Sequence, residues 1–179
     1  MKALIYTIAI DSPRETHHQL MAKILINSII RSSFSGEVLA FTNARHRLYE
    51  CGRRRVREIS LDFEGENARD VESFAKTFKY RARAYMNAKR YDRVMFVDCD
   101  CLFLANPASL FASEADLMYS EETWSSLKGD WHRGYLTDEE MQAPHSPGIN
   151  SGVWWVRGEC YDELMIEWEG VKSGIERQQ

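Results

Sequence analysis

Cysteine is scarce in this 179-residue sequence, and its four copies, Cys51, Cys99, Cys101 and Cys160, form no Cys-x-x-Cys pair. That spacing excludes a zinc ribbon or a thioredoxin-type redox motif, and reduced thiols in a cytoplasmic protein are the expectation. A large charge excess is missing too. The 23 Lys and Arg set against 27 Asp and Glu leave a net charge of −4, which gives no basis for a nucleic-acid or membrane-surface binder. No apolar run approaches the ~20 residues of a bilayer span. The opening Met1-Lys2-Ala3-Leu4-Ile5-Tyr6 lacks a signal peptide's long apolar stretch and cleavage site, and reads as a first strand. Internal repeats, low-complexity tracts and interdomain linkers are absent as well. What is present is 44% hydrophobic and 28% charged residues. That balance predicts a single globular domain over 1–179 with a core of its own.

Along the chain, apolar periodicity alternates between strand and helix. Ala3 to Ile10 is apolar and β-branched, a buried strand broken by Asp11-Ser12-Pro13. Leu20, Met21, Ile24, Leu25 and Ile29 repeat at helical spacing between about His17 and Arg31. Val38 to Phe41 reads as a second strand and Val56 to Leu61 as a third. Val71, Phe74, Phe78, Ala82, Tyr85 and Met86 mark one long helix ending near Arg90. Val94 to Val97 is a fourth strand, apolar on both faces, and Asn106-Pro107 opens a short helix through Phe111. Val153 to Val156 is a further strand, and Tyr161, Leu164, Met165 and Trp168 mark a last helix. The alternation predicts an α/β domain with a mostly parallel, Rossmann-like sheet.

The stretch "DRVMFVDCDCLFLANP", residues 92–107, sets two aspartates one residue apart where the apolar strand gives out. Ligands of open α/β sheets gather outside the carboxyl ends of strands, and residues two apart in an extended chain point to the same side. Asp98 and Asp100 are therefore candidates to share one hard cation, Mg²⁺ or Mn²⁺, that keeps positions open for water or substrate phosphates. The plain alternative is an acidic pair that begins a loop and caps the next turn.

The segment "YDRVMFVDCDCLFLANPASLF" resembles the Asp-x-Asp segment of GT-A-fold glycosyltransferases, especially the family-8, glycogenin-like and galactosyltransferase-like group. "PGINSGVWWVRG", residues 147–158, is similar to that group's Asn-(Ala/Ser)-Gly-Val segment. "TIAID", residues 7–11, resembles its first-strand end, and "FKYRA", residues 78–82, its lysine-bearing helix. The resemblance implies a metal-dependent transferase that moves a sugar from a nucleotide-sugar, most often a UDP-sugar, with retention at the anomeric carbon. The acceptor is a carbohydrate, a lipid-linked group or a protein. It implies that Asp98 and Asp100 hold a divalent ion on the diphosphate, with Asp98 also near the ribose and Cys99 lending backbone contacts. Ala9, Ile10 and Asp11 would line the uridine site, and Lys79 would approach the phosphates or the sugar. Asn150, Ser151 and Gly152 would border the donor sugar at the reacting centre. Read without the resemblance, those three are a plain turn ahead of a strand.

One part of the family pattern is missing. The group completes its metal site with a C-terminal motif of roughly His-x-x-Gly-x-x-Lys-Pro-Trp, and nothing here resembles it. The expectation is a C-terminally short relative whose two carboxylates bind a cation with water or substrate oxygens filling the gap. His17, His18, His46, His132 and His145 are the remaining histidines, and none is assigned as a ligand. His17 and His18 are adjacent, a spacing that does not face together on a helix. The segment between Tyr119 and Ile149 carries Trp124, Trp131 and Tyr135, whose ring faces suit an acceptor sugar or simply anchor a surface loop. The basic residues Arg45, His46, Arg47, Arg53, Arg54, Arg55 and Arg57 read as a solvated face balanced by Glu50, Glu58 and Asp62.

Two other readings stand beside the transferase. A haloacid-dehalogenase-type phosphatase would use Asp98 as nucleophile and Asp100 as acid and base, although its motif belongs on a first strand. A non-catalytic domain that binds a nucleotide sugar would explain the missing histidine motif.

Overall fold

The computed structural model describes residues 1–49, 55–63, 67–126 and 147–176, with backbone alone at 121–126, 147–151 and 171–176. Six strands form one sheet: β1 (Ala3–Ala9), β2 (Glu37–Thr42), β3 (Val56–Ser60), β4 (Arg93–Val97), β5 (Leu117–Ser126) and β6 (Pro147–Arg157). Their order across the sheet is β3-β2-β1-β4-β6-β5. The first four run parallel, and β6 lies antiparallel to both β4 and β5. Among the described residues three α-helices cover it: α1 (His18–Arg31), α2 (Ala68–Arg81) and α3 (Tyr161–Glu176).

The strand period of two sorts the core into halves. Leu4, Tyr6 and Ile10 of β1 and its exit join Val94 and Phe96 of β4 and Trp154 of β6 beneath α2 and α3. Ala3, Ile5, Ala9, Met95, Val97 and Trp155 face the other way, beneath α1. β1 is therefore buried on both sides, which is why it reads as continuous apolar sequence. On the α2 side, aromatic rings do much of the filling. Tyr6 meets Phe41 and Trp154 edge-on at 6.3 and 6.1 Å, and Phe96 stacks on Trp154 at 5.8 Å. Such pairs add about 0.5–1.5 kcal/mol beyond area burial.

Several elements depart from the sequence reading. α1 buries Ala22, Leu25, Ile26 and Ile29, while Leu20 and Ile24 are exposed; its apolar stripe is wider than its contact with the sheet. The long second helix stops at Arg81 and continues as 3₁₀ turns at Ala82–Tyr85 and Ala88–Arg90. Met86, extended at φ −138° and ψ 146°, interrupts it and is itself buried. With no Gly or Pro between 78 and 90, the break has no local signal; packing imposes it. Strand β5 runs on to Ser126, into the segment between Tyr119 and Ile149 that reads from the sequence as an acceptor wall or a surface loop. Asn150, Ser151 and Gly152 lie within β6 rather than in a turn before it. The 3₁₀ helix at Pro107–Ala112 starts as expected, with the Asn106 side chain accepting from Ala108 N–H at 2.9 Å.

Candidate functional site

The chain leaves β1 for α1 on one face of the sheet and enters β4 from α2 on the other. Neighbouring strands whose connections depart to opposite faces open a crevice at their carboxyl ends. A cavity of about 420 Å³ lies at that place, lined by Ile8 and Ile10 from the end of β1 and by Asp98, Cys99 and Asp100 from the end of β4. α2 supplies a third wall through Glu72, Ala75, Lys76 and Lys79, and the loop into α1 a fourth through Ser12, Glu15, His17 and His18.

Alternation along β4 aims the site. Val94 and Phe96 point to the α2 side, and Asp98 continues that series past the strand's end. Its Oδ1 meets the Lys79 ammonium at 3.1 Å. The same ammonium sits 4.6 Å from the centre of the Phe96 ring, a cation–π contact that holds the lysine over the strand end. Cys99 faces the opposite way, into the core under α1, and is 7% exposed. Burial pushes its thiol up to about 12, with Asp100 and then Asp98 adding to the shift. Cys101 is pushed up to about 11 by the same causes in the same order. Both are thus held as neutral thiols near neutral pH and are poor nucleophiles. Asp100 is exposed at the cavity wall, as Cys101 N–H closes a turn onto the Asp98 carbonyl at 3.2 Å.

The second segment singled out in the sequence joins the first by its backbone. The Asp98 N–H donates to the Gly152 carbonyl at 2.7 Å. The pairing of β6 with β5 skips from Trp154 to Asn150 at this point, where Tyr119 and Ser120 are consecutive on the partner. Towards β4 the register is regular: Gly152 follows the Val97–Val153 pair by one residue, and it is buried. The backbones of Asn150 and Ser151 therefore run beside the Asp-x-Asp turn; their side chains lie outside the described residues.

The residues at the end of β1 divide. Ile10 lines the cavity. Ala9 is fully buried under α1, so its side chain faces away from the cavity. Asp11 is committed to the scaffold. Its Oδ1 accepts from Gln19 N–H in the first turn of α1 at 3.2 Å, while its backbone N–H and carbonyl exchange hydrogen bonds with the Asn43 side chain at 2.9 and 2.7 Å. A carboxylate at a helix start is favourable there, and it leaves Asp11 outside the cavity lining. His17 and His18 both reach the cavity, with rings stacked at 4.7 Å. The rule that neighbours on a helix diverge does not apply, because His17 precedes the helix as its cap residue. His132, His145, Trp131 and Tyr135 lie outside the described residues.

Sequence reasoning did not single out Ser12, Glu15, Glu72 or Lys76. The available signal was the spacing of Glu72, Lys76 and Lys79, which puts all three on one stripe of a helix. Ser12, 5% exposed, is the knot of this wall: its Oγ accepts from the N–H groups of Arg14 and Glu15 and donates to Glu72 Oε1 at 3.0 Å.

A divalent cation fits the donor set to this extent. Two carboxylates of hard oxygen line one cavity, and a cationic nitrogen already sits against one of them. Among the described residues no group of three or more His, Cys, Asp or Glu side chains converges as a metal site. Two protein carboxylates completed by water and phosphate oxygens is a common arrangement for Mg²⁺.

No family model matches the chain, and no curated protein matches it in sequence. Solved structures do match. The apo form of mouse xyloside xylosyltransferase 1 superposes with a TM-score of 0.56 at 13% identity, over 92% of this chain and 72% of that one. The galactosyltransferase LgtC, solved with donor and acceptor sugar analogues, gives 0.52 at 15% identity, over 89% of this chain and 59% of LgtC. An active-site mutant of LgtC gives 0.54. The fold is that of the GT-A glycosyltransferases, and the chain spans under two thirds of LgtC. No described helix is long and apolar enough to cross a membrane.

Proposed function

We propose that the chain is a glycosyltransferase that binds a nucleotide-sugar at the β1–β4 crevice through a divalent cation held by Asp98 and Asp100. The observation that carries this reading is the Lys79 ammonium on Asp98 in a cavity also lined by Asp100. It joins positive and negative groups where a metal–diphosphate would need both. UDP is the nucleotide that the sequence resemblance implies, and Mn²⁺ or Mg²⁺ the ion.

In the reaction, the bond from sugar C1 to the diphosphate oxygen breaks and its electron pair leaves with the diphosphate. An acceptor hydroxyl forms the new bond to C1 and gives up its proton. A bound cation would neutralise charge growing on the leaving oxygen. Lys79 adds a second positive group on the same side. Phe96 beneath it restrains the ammonium, and the Tyr6 hydroxyl, which donates to the Lys79 carbonyl at 3.1 Å, anchors the backbone that carries it. The Asn150–Gly152 backbone, tied to Asp98, would border the sugar, with Gly152 allowing close approach. Retention at C1 rests on the family likeness and is tested by the anomer of the product.

The test is thermal. A ligand at 100 times its dissociation constant stabilises the native state by about 2.7 kcal/mol, a rise of roughly 5–10 °C for a domain of this size. Mn²⁺ with UDP should produce a rise of that order, and Asp100→Asn should abolish its metal-dependent part. No rise at saturating concentrations sinks the proposal. A rise without turnover of any UDP-sugar makes the chain a binding module.

A further inference from the structure

We infer that the outer face of α1, together with the loop 101–112 that runs along it, docks the protein on an anionic lipid surface, with Leu102 and Leu104 entering the bilayer. The inference stands on the fold and is independent of the nucleotide-sugar reading.

Position comes first. Three contacts tie the loop to α1 and its exit. Phe103 N–H donates to Ser28 Oγ at 3.0 Å, the Asn106 side chain donates to the Ser33 carbonyl at 3.1 Å, and the Phe111 ring meets that of Phe34 at 5.9 Å. Cys101 and Phe103 pack inwards, against the core under α1. Leu102 and Leu104, on either side of Phe103, are 58% and 95% exposed, and Leu110 is exposed as well. On the helix, Leu20 and Ile24 are exposed one turn apart, and Ser28, which holds the loop, follows Ile24 by one further turn. Five of the ten large apolar side chains left exposed among the described residues thus belong to these two elements. A single exposed leucine means little, but a group gathered on one side marks a docking surface.

Charge chooses the occupant. Residues 17–34 and 101–112 contain no Asp or Glu, in a chain that has 27 of them. Lys23 and Arg31 are exposed on the helix. The loop after β2 adds exposed Arg45 and Arg47, and the Gln19 amide holds it beside the first turn of α1 by donating to Asn43 Oδ1 at 3.1 Å. Glu58, the carboxylate that touches this loop, is engaged by the N–H groups of Leu48 and Tyr49 at 3.0 and 2.9 Å. The net charge of −4 hides this local sign. Leucines bordered by Lys and Arg match a bilayer with anionic head groups: the apolar side chains pass into the acyl region and the basic ones stay at the head groups. A side chain as exposed as Leu104 projects from the surface. A fluid bilayer accepts it without a shaped pocket, which a protein partner would have to supply. A second copy on the same face would set Lys23 and Arg31 against themselves, because an isologous contact pairs a patch with its own copy. Leu102 follows Asp100 by two residues, at most about 7 Å of chain, so a bilayer on this face lies at the rim of the crevice.

The experiment is sedimentation with large vesicles of phosphatidylcholine, either alone or with about 30% phosphatidylserine to give the surface its negative potential. At low salt the wild type should bind the anionic vesicles at least about tenfold more tightly than the neutral ones, and high salt should shrink the difference by screening. Leu102→Ser with Leu104→Ser should weaken binding to the anionic vesicles at least about tenfold by removing the inserted apolar area. Both side chains are exposed, so a urea melt should show the variant folded as the wild type. Lys23→Gln with Arg31→Gln should weaken binding to the anionic vesicles about tenfold at low salt and leave binding to the neutral ones unchanged. A wild type that stays in solution with both kinds of vesicle overturns the inference, as does a serine variant that binds as well as the wild type. Self-association in light scattering that the serine variant loses, without vesicle binding, also overturns it and gives the face to a second copy. No nucleotide enters the assay, so failure here leaves the nucleotide-sugar reading standing, and failure of that reading leaves the vesicle result standing.

Discussion

Replacing Lys79 by methionine should move two affinities in opposite directions. The substitution removes one positive charge and keeps an unbranched side chain of good helix propensity, able to lie over Phe96 through its sulfur. At the observed 3.1 Å, Coulomb's law with an effective dielectric of 20 puts the Lys79–Asp98 attraction at about 5 kcal/mol. Asp98 is 40% exposed, however, and pairs open to water contribute about 1 kcal/mol or less. A cation arriving alone must displace that contact. Freed of it, Lys79→Met should bind Mn²⁺ by itself about fivefold more tightly, since about 1.4 kcal/mol is a factor of ten. A diphosphate loses instead a hydrogen bond to a charged donor, about 1.5–3 kcal/mol. UDP in the presence of saturating Mn²⁺ should therefore bind some 10- to 150-fold more weakly. Calorimetry gives both numbers, and a urea melt controls for folding. If both affinities fall together, or if neither changes, the lysine is not poised between metal and diphosphate and the site has been misread.

Three further outcomes follow from the scaffold. The Tyr161 hydroxyl donates to Tyr6, which donates to the Lys79 carbonyl; Tyr161→Phe removes one link and should cost about 1 kcal/mol, whereas Tyr6→Phe strands two partners and should cost more, both read in urea melts. Burial raises the Tyr6 and Tyr161 phenols well above their ordinary value near 10. Their contribution is thus complete below pH 10 and drains away above it, and stability should fall by on the order of 1 kcal/mol per pH unit for each phenol, with the slope reduced in the double Phe variant. Gly158→Ala should destabilise strongly, because an added Cβ would come within 2.0 Å of the Tyr91 carbonyl and 2.5 Å of that of Ala88; a midpoint unchanged in urea would contradict that packing.

The parts of this molecule that were legible in its sequence are those where one local rule governs. β1 and β4 are buried on both faces, so their apolar runs could be nothing but central strands. The same alternation set Asp98 on the cavity side of β4, whereas Asp100 reaches the wall through the turn that Cys101 N–H closes onto the Asp98 carbonyl. α1 and α3 were visible through their periodicity, although the buried face of α1 includes Ala22 and Ile26 and leaves Leu20 and Ile24 outside. The illegible parts depend on distant partners. Strand β5 carries a polar sequence, Ser120-Glu121-Glu122, that only pairing with β6 makes extended. The break after Arg81 is imposed by the burial of Met86 and Ala88 against the rest of the domain. Asp11 is marked for the uridine site by the resemblance of residues 7–11; its hydrogen bonds to Asn43 and to the first turn of α1, near in space and distant in sequence, were not legible. Ser12 and Glu72, 60 residues apart, meet only in the folded chain.

The hydroxyl relay from Tyr161 through Tyr6 to the Lys79 carbonyl fastens α3 to the α2 wall of the cavity through the middle of the protein. A displacement of α3 is therefore passed through two hydroxyls to the backbone that carries the Lys79 ammonium. The far face of α3 is in this sense a handle on that wall, and substitutions there that leave the cavity lining untouched should still be felt at the Lys79–Asp98 contact.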